Sequence, residues 1–261
     1  MIYFCVPAHD EAATIGLVLW KIRRVLEESA REYQLLVGDD ASTDATAEVL
    51  APYSKVLPLT VLRSPTRQGY AATVELLLKE ALKRSDRHKR DVAILLPADF
   101  AADPATLPEF LRRMDSGADV VVGEAALEGE PDKWQRRVRR FAPRLLGRRA
   151  RVAGVRDVVS GFAAFRLVAL RNAFRASTGP WFTTDGWAAN AQLLAWAAAG
   201  ARRVETVPVV EHAERHARGR RHTPLEQARA LWAARRHLTL PPVEANAERA
   251  PRSTPKEKEA A

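Results

Sequence analysis

Ile2-Tyr3-Phe4-Cys5-Val6-Pro7-Ala8-His9-Asp10-Glu11 is a run of five apolar residues that meets a proline and then two carboxylates. The apolar stretch is continuous rather than alternating, the pattern of a strand covered on both faces. Asp10 or Thr14 can open a helix after it, and Ile15, Val18, Leu19, Ile22, Val25 and Leu26 recur at helical spacing. The same succession then repeats along the chain. Strands are expected over Gln34–Val37, Val56–Leu62, Val92–Leu96 and Ala118–Val122, and helices from Thr43, over Gly69–Leu82 and over Leu107–Asp115. This rhythm predicts an α/β fold with a mostly parallel sheet flanked by helices on both faces.

Carboxylates stand where those strands end. Asp10 and Glu11 follow the first, Asp39 and Asp40 the second, and Asp99 the fourth. Ligands of open parallel sheets bind beyond the carboxyl ends of the strands. One such acid alone is more often a helix cap or a turn former. Recurrence at several strand ends points instead to a site for a metal or for sugar and ribose hydroxyls.

The second half is basic. Ten Lys or Arg lie between Lys133 and Arg156, and Arg215, Arg218, Arg220 and Arg221 form a second cluster in a chain of net charge +9. Such patches attract nucleic acid, anionic lipid or a phosphorylated substrate, or are simply an arginine-rich surface. The stretch after Gly123 is expected to be helical, Ser160–Phe165 a short strand or turn, Trp187–Ala199 a helix and Arg203–Val210 a strand. Leu225, Ala228, Leu231, Trp232 and Leu238 mark one apolar face of a basic helix. That helix either packs against the domain or rests on an anionic membrane surface. Beyond Pro241 the composition turns to Pro, Glu, Lys and Ala without apolar periodicity, as in disordered tails. The expected organisation is one domain over residues 1–222, an amphipathic basic helix over 223–240 and a disordered tail over 241–261.

Several function classes lack support. No Gly-x-x-x-x-Gly-Lys loop and no Gly-x-Gly-x-x-Gly after a strand is present, which leaves out ATPase and dinucleotide readings. His212 and His216 have a zinc-like spacing but no third ligand placed to complete a site. The lone Cys5, set in an apolar run, reads as a buried and inert thiol in a reducing compartment. The longest apolar run, Trp187–Ala199, is about 13 residues with Asn190 and Gln192 inside it, short of the ~18 a span needs. The opening lacks a basic leader, so the expected location is cytoplasmic, with a peripheral position on the inner face of the membrane left open.

The segments Val6-Pro7-Ala8-His9-Asp10-Glu11 and Leu36-Val37-Gly38-Asp39-Asp40-Ala41-Ser42-Thr43-Asp44 closely resemble the opening of family 2 glycosyltransferases. Arg67-Gln68-Gly69-Tyr70-Ala71-Ala72 is similar to that family's third nucleotide-site segment, and Leu95-Leu96-Pro97-Ala98-Asp99 falls where its Asp-x-Asp motif lies. Asp119–Gly123 matches the strand that follows. Ser160–Phe165 and Glu205–Val209 resemble later segments of the dolichol-phosphate (polyprenyl-phosphate) mannosyltransferase branch. The resemblance spans about residues 2 to 222. It implies a GT-A fold and an inverting transfer of a hexose from a UDP- or GDP-sugar to a polyprenyl phosphate or related acceptor. No nucleic-acid partner is expected, because the arginine patches belong to no recognisable nucleic-acid module. Pro7, Ala8 and Glu11 would line the base and ribose pocket, mainly through backbone. Asp40 would bind base or ribose with Asp39 beside it, Gly69 would let the backbone approach the nucleotide, and Ala98 would lie beside it. Asp99 would hold Mg²⁺ or Mn²⁺ against the donor diphosphate.

The departures from the family pattern bear on catalysis. The first acid of Asp-x-Asp is Pro97, an arginine expected after the Val-Val-Gly strand is replaced by Glu124 and Ala125, and later acidic positions are Asn190 and Gln192. Asp185 is the carboxylate left nearby, a general base for a hydroxyl acceptor or, as the commoner role, a helix cap. An acceptor phosphate is already an anion and needs cations rather than a base. Arg166, Arg218, Arg220 and Arg221 are the candidates for that role. The alternative is a degenerate relative that binds nucleotide or a partner without transfer.

Overall fold

The first strand, β1, covers Ile2–Ala8 and is buried along its whole length. A computed structural model of the chain describes residues 1–27, 29, 31–125, 133–177, 179–209 and 223–242. Helix α1 (Ile15–Glu27) follows, then β2 (Tyr33–Asp40), α2 (Thr46–Tyr53), β3 (Leu59–Ser64), α3 (Tyr70–Arg84) and β4 (Val92–Leu95). Next come α4 (Leu107–Asp115), β5 (Val120–Ala125), α5 (Lys133–Leu145), β6 (Ala163–Arg166), α6 (Leu167–Ala176), α7 (Gly186–Gly200), β7 (Val204–Val209) and α8 (Pro224–Ala234).

The strands form one seven-stranded sheet in the order β3-β2-β1-β4-β6-β5-β7. Every neighbouring pair is parallel except those involving β6, which runs against β4 and β5. The α/β class and the mostly parallel sheet are therefore as expected. Strand order reverses between β1 and β4, which is where such sheets open a ligand crevice.

Successive strand residues feed opposite faces, and both faces are covered. Tyr3, Cys5, Leu36, Ala93, Leu95, Val120 and Val122 join α3, α5, α6, α7 and α8 in one core layer. Phe4, Val6, Leu35, Val37, Ile94 and Val121 join α1 and α4 in the other. Two-sided burial is the cause of the unbroken apolar runs in the sequence. Burial also pushes the Cys5 thiol up, away from the thiolate, in keeping with an inert side chain.

Helix α7 has a different logic. Its residues Ala188 to Ala198 are all buried, because it lies among α3, α6 and α8 with no face to solvent. Small residues make that possible: a Cβ on Gly200 would stand 2.8 Å from the Ala169 carbonyl oxygen in α6. No helix among the described residues is long and apolar enough to cross a membrane.

Gly38 shows how closely α3 sits on the sheet. A Cβ there would lie 2.5 Å from Thr73 Cγ2 and 3.2 Å from Leu77 Cδ1. Thr73 cannot swing aside cheaply, since its hydroxyl donates to the Gly69 carbonyl at 2.9 Å. Gly38→Ala is expected to destabilise the fold by ~1–3 kcal/mol through overpacking. A lower urea midpoint at unchanged slope would register it.

Candidate functional site

The loops after β1 and β2 are zipped together. His9 Nδ1 lies 2.7 Å from the Asp40 carbonyl oxygen, the Asp10 amide donates to Ser42 Oγ at 3.0 Å, and the Glu11 amide donates to Thr46 Oγ1 at 2.9 Å. In return Asp10 Oδ1 accepts from the Thr43 amide at 2.7 Å, and Asp44 Oδ2 accepts from the Ala12 amide at 3.1 Å. Glu11 is buried, and its Oε2 accepts from the Thr14 hydroxyl at 2.8 Å.

Asp10, Ala41 and Phe100 are the non-glycine residues with positive φ among those described, at 56°, 53° and 57°. Each lies just beyond the carboxyl end of β1, β2 or β4. Aspartate tolerates this conformation; alanine and phenylalanine bear a cost of ~1–2 kcal/mol each. Strain of this kind is held in place by surrounding contacts and gathers at functional rims.

The Thr43 amide above all holds the Asp10 carboxyl below the usual range, with help from the Asp44 amide and His9 and against the effect of burial. A carboxyl lowered in the folded state adds stability above its unfolded value, ~3.9, and loses it as pH falls through the folded one. Asp10→Asn keeps a residue that accepts positive φ. The stability difference between wild type and Asp10→Asn is expected to be full at pH 7 and to shrink below pH ~4, read from unfolding midpoints across that range.

Asp40 grips the next segment. It is 4% exposed, and its Oδ1 and Oδ2 accept from the amides of Gln68 at 2.6 Å and Gly69 at 2.9 Å. Asp185 grips the same segment from the other side, because its Oδ1 accepts from the Ala71 amide at 2.8 Å as well as from Gly186 at 2.8 Å. Gly69 between them has φ 94°, and a Cβ there would stand 2.9 Å from Asp185 Oδ2. Glycine is thus required twice, by conformation and by the approach of the carboxylate. Asp39 is buried beside Asp40; its Oδ1 accepts from the Ser42 amide at 3.0 Å, and Arg63 Nε lies 3.4 Å from its Oδ2.

On the other side of the switch point, Asp99 is partly exposed and its Oδ1 accepts from the Ala101 amide at 2.9 Å. Tyr70 reaches toward this side. Its hydroxyl donates to Asn190 Oδ1 at 2.8 Å, and Asn190 Nδ2 donates to the Val159 carbonyl at 3.1 Å. A Cβ on Gly161 would be 3.4 Å from the Tyr70 hydroxyl and from Asn190 Nδ2, and 3.5 Å from Pro97 Cγ. Burial pushes the Tyr70 phenol up; the Asn190 bond opposes this, and the carboxylates of Asp99 and Asp185 add to it. Tyr70 therefore stays protonated within the electrostatic reach of both acids. Sequence reading assigned it no role, although its place after the glycine-opened turn was a usable signal.

The remaining expected positions are spread over the fold. Pro7 and Ala8 lie within β1, opposite Gly38 and Asp39, and the Ala8 and Ala98 side chains are buried in the core. Only their backbone can face a ligand. Arg166 is not at this rim. It pairs with Val92 at the start of β4, and its guanidinium donates to the Met114 and Ala118 carbonyls at 2.5 and 3.1 Å with Asp119 3.5 Å away. The reversed direction of β6 carries it to the opposite edge, where it braces the sheet. Gln192 is also structural, because it links Thr183 to the Thr239 carbonyl. Arg218, Arg220, Arg221, His212 and His216 lie outside the described residues.

Comparison with known proteins fits this geometry. The model of "Glycosyl transferase family 2" matches residues 3–174. The chain belongs to glycosyl transferase family 2. A dolichol-phosphate mannosyltransferase of Pyrococcus furiosus is 26% identical over 166 residues, 62% of this chain and 45% of that protein. An undecaprenyl-phosphate 4-deoxy-4-formamido-L-arabinose transferase of Pseudomonas aeruginosa is 24% identical over 131 residues, 50% of this chain and 37% of that one. The matches thus span less than half the length of these curated relatives. Among solved structures, glucosyl-3-phosphoglycerate synthase of Mycobacterium tuberculosis, in complex with Mn²⁺ and uridine-diphosphate-glucose, gives a TM-score of 0.60 at 19% identity, covering 93% of this chain and 80% of that one. S. aureus TarS 1–349 in complex with UDP-GlcNAc gives 0.53 at 16% identity, over 79% and 55%. The fold is the GT-A type.

Among the described residues no group of three His, Cys, Asp or Glu converges. Asp99 is the acid expected, from the sequence resemblance, at the motif position, with Pro97 two residues before it. One carboxylate suits a hard ion that draws its remaining oxygen ligands from substrate phosphate and water.

Proposed function

We propose that this chain binds a UDP- or GDP-sugar at the β1/β4 crevice and transfers its hexose, with inversion, to a polyprenyl phosphate or related acceptor. The observation that carries this reading is the double clasp on residues 68–71. Asp40 and Asp185 hold the first turn of α3 from two sides, and the loops of β1 and β2 are locked beside it. A nucleotide needs a rim of this kind, with fixed backbone donors and acceptors set at a switch point.

Asp99 would hold Mg²⁺ or Mn²⁺, whose positive charge would offset the charge that gathers on the departing diphosphate. The acceptor oxygen bonds to the anomeric carbon as the bond from that carbon to the donor phosphate breaks, and the electron pair leaves with the nucleotide. An anionic acceptor needs no proton removed. That agrees with the neutral Tyr70–Asn190 pair and with an Asp185 engaged by two backbone amides, a positioning carboxylate rather than a base.

The basic second half supports a peripheral position on the inner face of a membrane. α5 and α8 pack on each other, and each exposes an aromatic ring, Phe141 at 46% and Trp232 at 57%. Arg144 stacks over the first and Arg236 over the second. Leu231 faces the core while Leu225 and Trp232 face outward, so the residues expected to form one apolar face divide between two environments. Arg-flanked aromatic groups suit an anionic interface.

Calorimetric titration of UDP- and GDP-sugars, with and without Mn²⁺, tests the donor half; transfer to a short polyprenyl phosphate tests the rest. A degenerate binder is the second reading, favoured by Pro97. Donor binding without transfer to any phosphate or hydroxyl acceptor would select it.

A further inference from the structure

The segment Ser85–Asp91 joins α3 to β4 and so lies at the amino ends of the parallel strands, away from Asp99. Its backbone is tied inward. The Arg87 carbonyl accepts from the Arg90 and Asp91 amides at 2.7 and 2.9 Å, and the His88 and Asp91 carbonyls accept from Val168 and Leu167 at 2.8 and 3.0 Å. Arg166 Nη1 donates to the Lys89 and Arg90 carbonyls at 3.3 and 3.4 Å. With its carbonyls occupied, the turn is rigid, and Arg87, Lys89 and Arg90 extend exposed into solvent.

Those three side chains, with Asp86, His88 and Arg171, line a hollow of about 380 Å³. Counter-charge is scarce. Asp86 meets Arg87 at 3.8 Å with both side chains largely exposed, a pair of little worth in water. Asp91 is buried and accepts from Ser85 Oγ at 2.6 Å. His88 Nε2 faces the Leu82 carbonyl at 3.0 Å and so carries its proton there, which turns the Nδ1 lone pair toward Arg171 Nη1 at 3.5 Å. Arg171 Nε is buried with no hydrogen-bond acceptor among the described residues.

We propose that this hollow is a second ligand site, separate from the donor crevice, and that it takes a phosphate-bearing anion. Like charges held at fixed spacing repel one another, and a multivalent anion removes that repulsion. Guanidinium groups match phosphate oxygens with two parallel donors, and the hydrogen-bonded turn leaves little backbone freedom to lose on binding. A free oligophosphate and a phospholipid headgroup share this chemistry.

Titration of the full chain with inorganic pyrophosphate, beside flotation with phosphatidylglycerol vesicles, tests it. The comparison is with Arg87→Ser/Lys89→Ser/Arg90→Ser, which changes exposed side chains and leaves the carbonyl network intact. Pyrophosphate affinity is expected to fall at least ~10-fold in the variant while nucleotide-sugar binding is unchanged, so the result is independent of the donor reading. If only vesicle binding falls, the phosphoryl group is a headgroup's and the site stands. Wild type that binds neither probe, or a variant that binds both like wild type, overturns the proposal.

Discussion

Asp40→Ala is expected to abolish nucleotide-sugar binding and to lower the unfolding midpoint in the same protein. The Asp40 carboxylate is nearly inaccessible and accepts two backbone amides, at 2.6 and 2.9 Å. Hydrogen bonds to a charged group contribute ~1.5–3 kcal/mol each, and their loss leaves the amides of Gln68 and Gly69 without acceptors. The turn that opens α3 then loses one of its two anchors, and Asp185 alone cannot fix both ends. A combined loss of ~3 kcal/mol or more corresponds to a Kd raised at least ~100-fold. Asp40→Asn has the same shape but offers one acceptor where two donors converge, so it is expected to recover only part of the affinity. Titration with UDP and GDP, paired with circular dichroism melts, separates the two effects. Unchanged affinity in either variant would remove Asp40 from the nucleotide site.

Asp99→Ala is expected to act on a different quantity. Asp99 lies across the switch point from Asp40 and is partly exposed, and its Oδ1 accepts from the amide of Ala101 two residues on. Its removal should therefore cost little stability. On the proposed reading, Asp99 is the carboxylate that holds the cation. Donor affinity in Mn²⁺ is expected to fall to the metal-free value, and turnover by ~100-fold or more, a loss of ~2.7 kcal/mol of transition-state stabilisation. Metal-free UDP binding should persist. Pro97→Asp, which places a second acid on the same turn, should instead raise Mn²⁺ affinity. Equal Mn²⁺ dependence in wild type and Asp99→Ala would show that Asp99 does not hold the ion.

How much of this was legible depended on the range of the interaction. Strands β1, β2, β4 and β5 were readable because two-sided burial writes an unbroken apolar run. The acids at their ends were readable because strand ends and ligand rims coincide in parallel sheets. Contacts made by distant residues were not. Asp185 is separated by 114 residues from the Ala71 amide it accepts, and nothing in its local sequence distinguishes that from a plain helix cap.

Strand direction was also hidden. An apolar β6 is equally apolar in either sense, so Arg166 was assigned to the acceptor side when antiparallel pairing takes it to the far edge. Helix α6 escaped notice because it follows β6 without a break, even though Leu167, Leu170 and Ala173 share its buried side. In α8, periodicity marked the apolar positions but not which of them meet the core. Leu231 does, while Leu225 and Trp232 do not.

Isothermal titration of the wild-type chain with UDP-sugars and GDP-sugars, in Mn²⁺ and in a chelator, tests the donor site most directly. One nucleotide-sugar class should bind with a stoichiometry near one, more tightly in Mn²⁺ than in chelator. The absence of binding by every UDP- and GDP-sugar in both conditions would contradict a donor site at the ends of β1, β2 and β4.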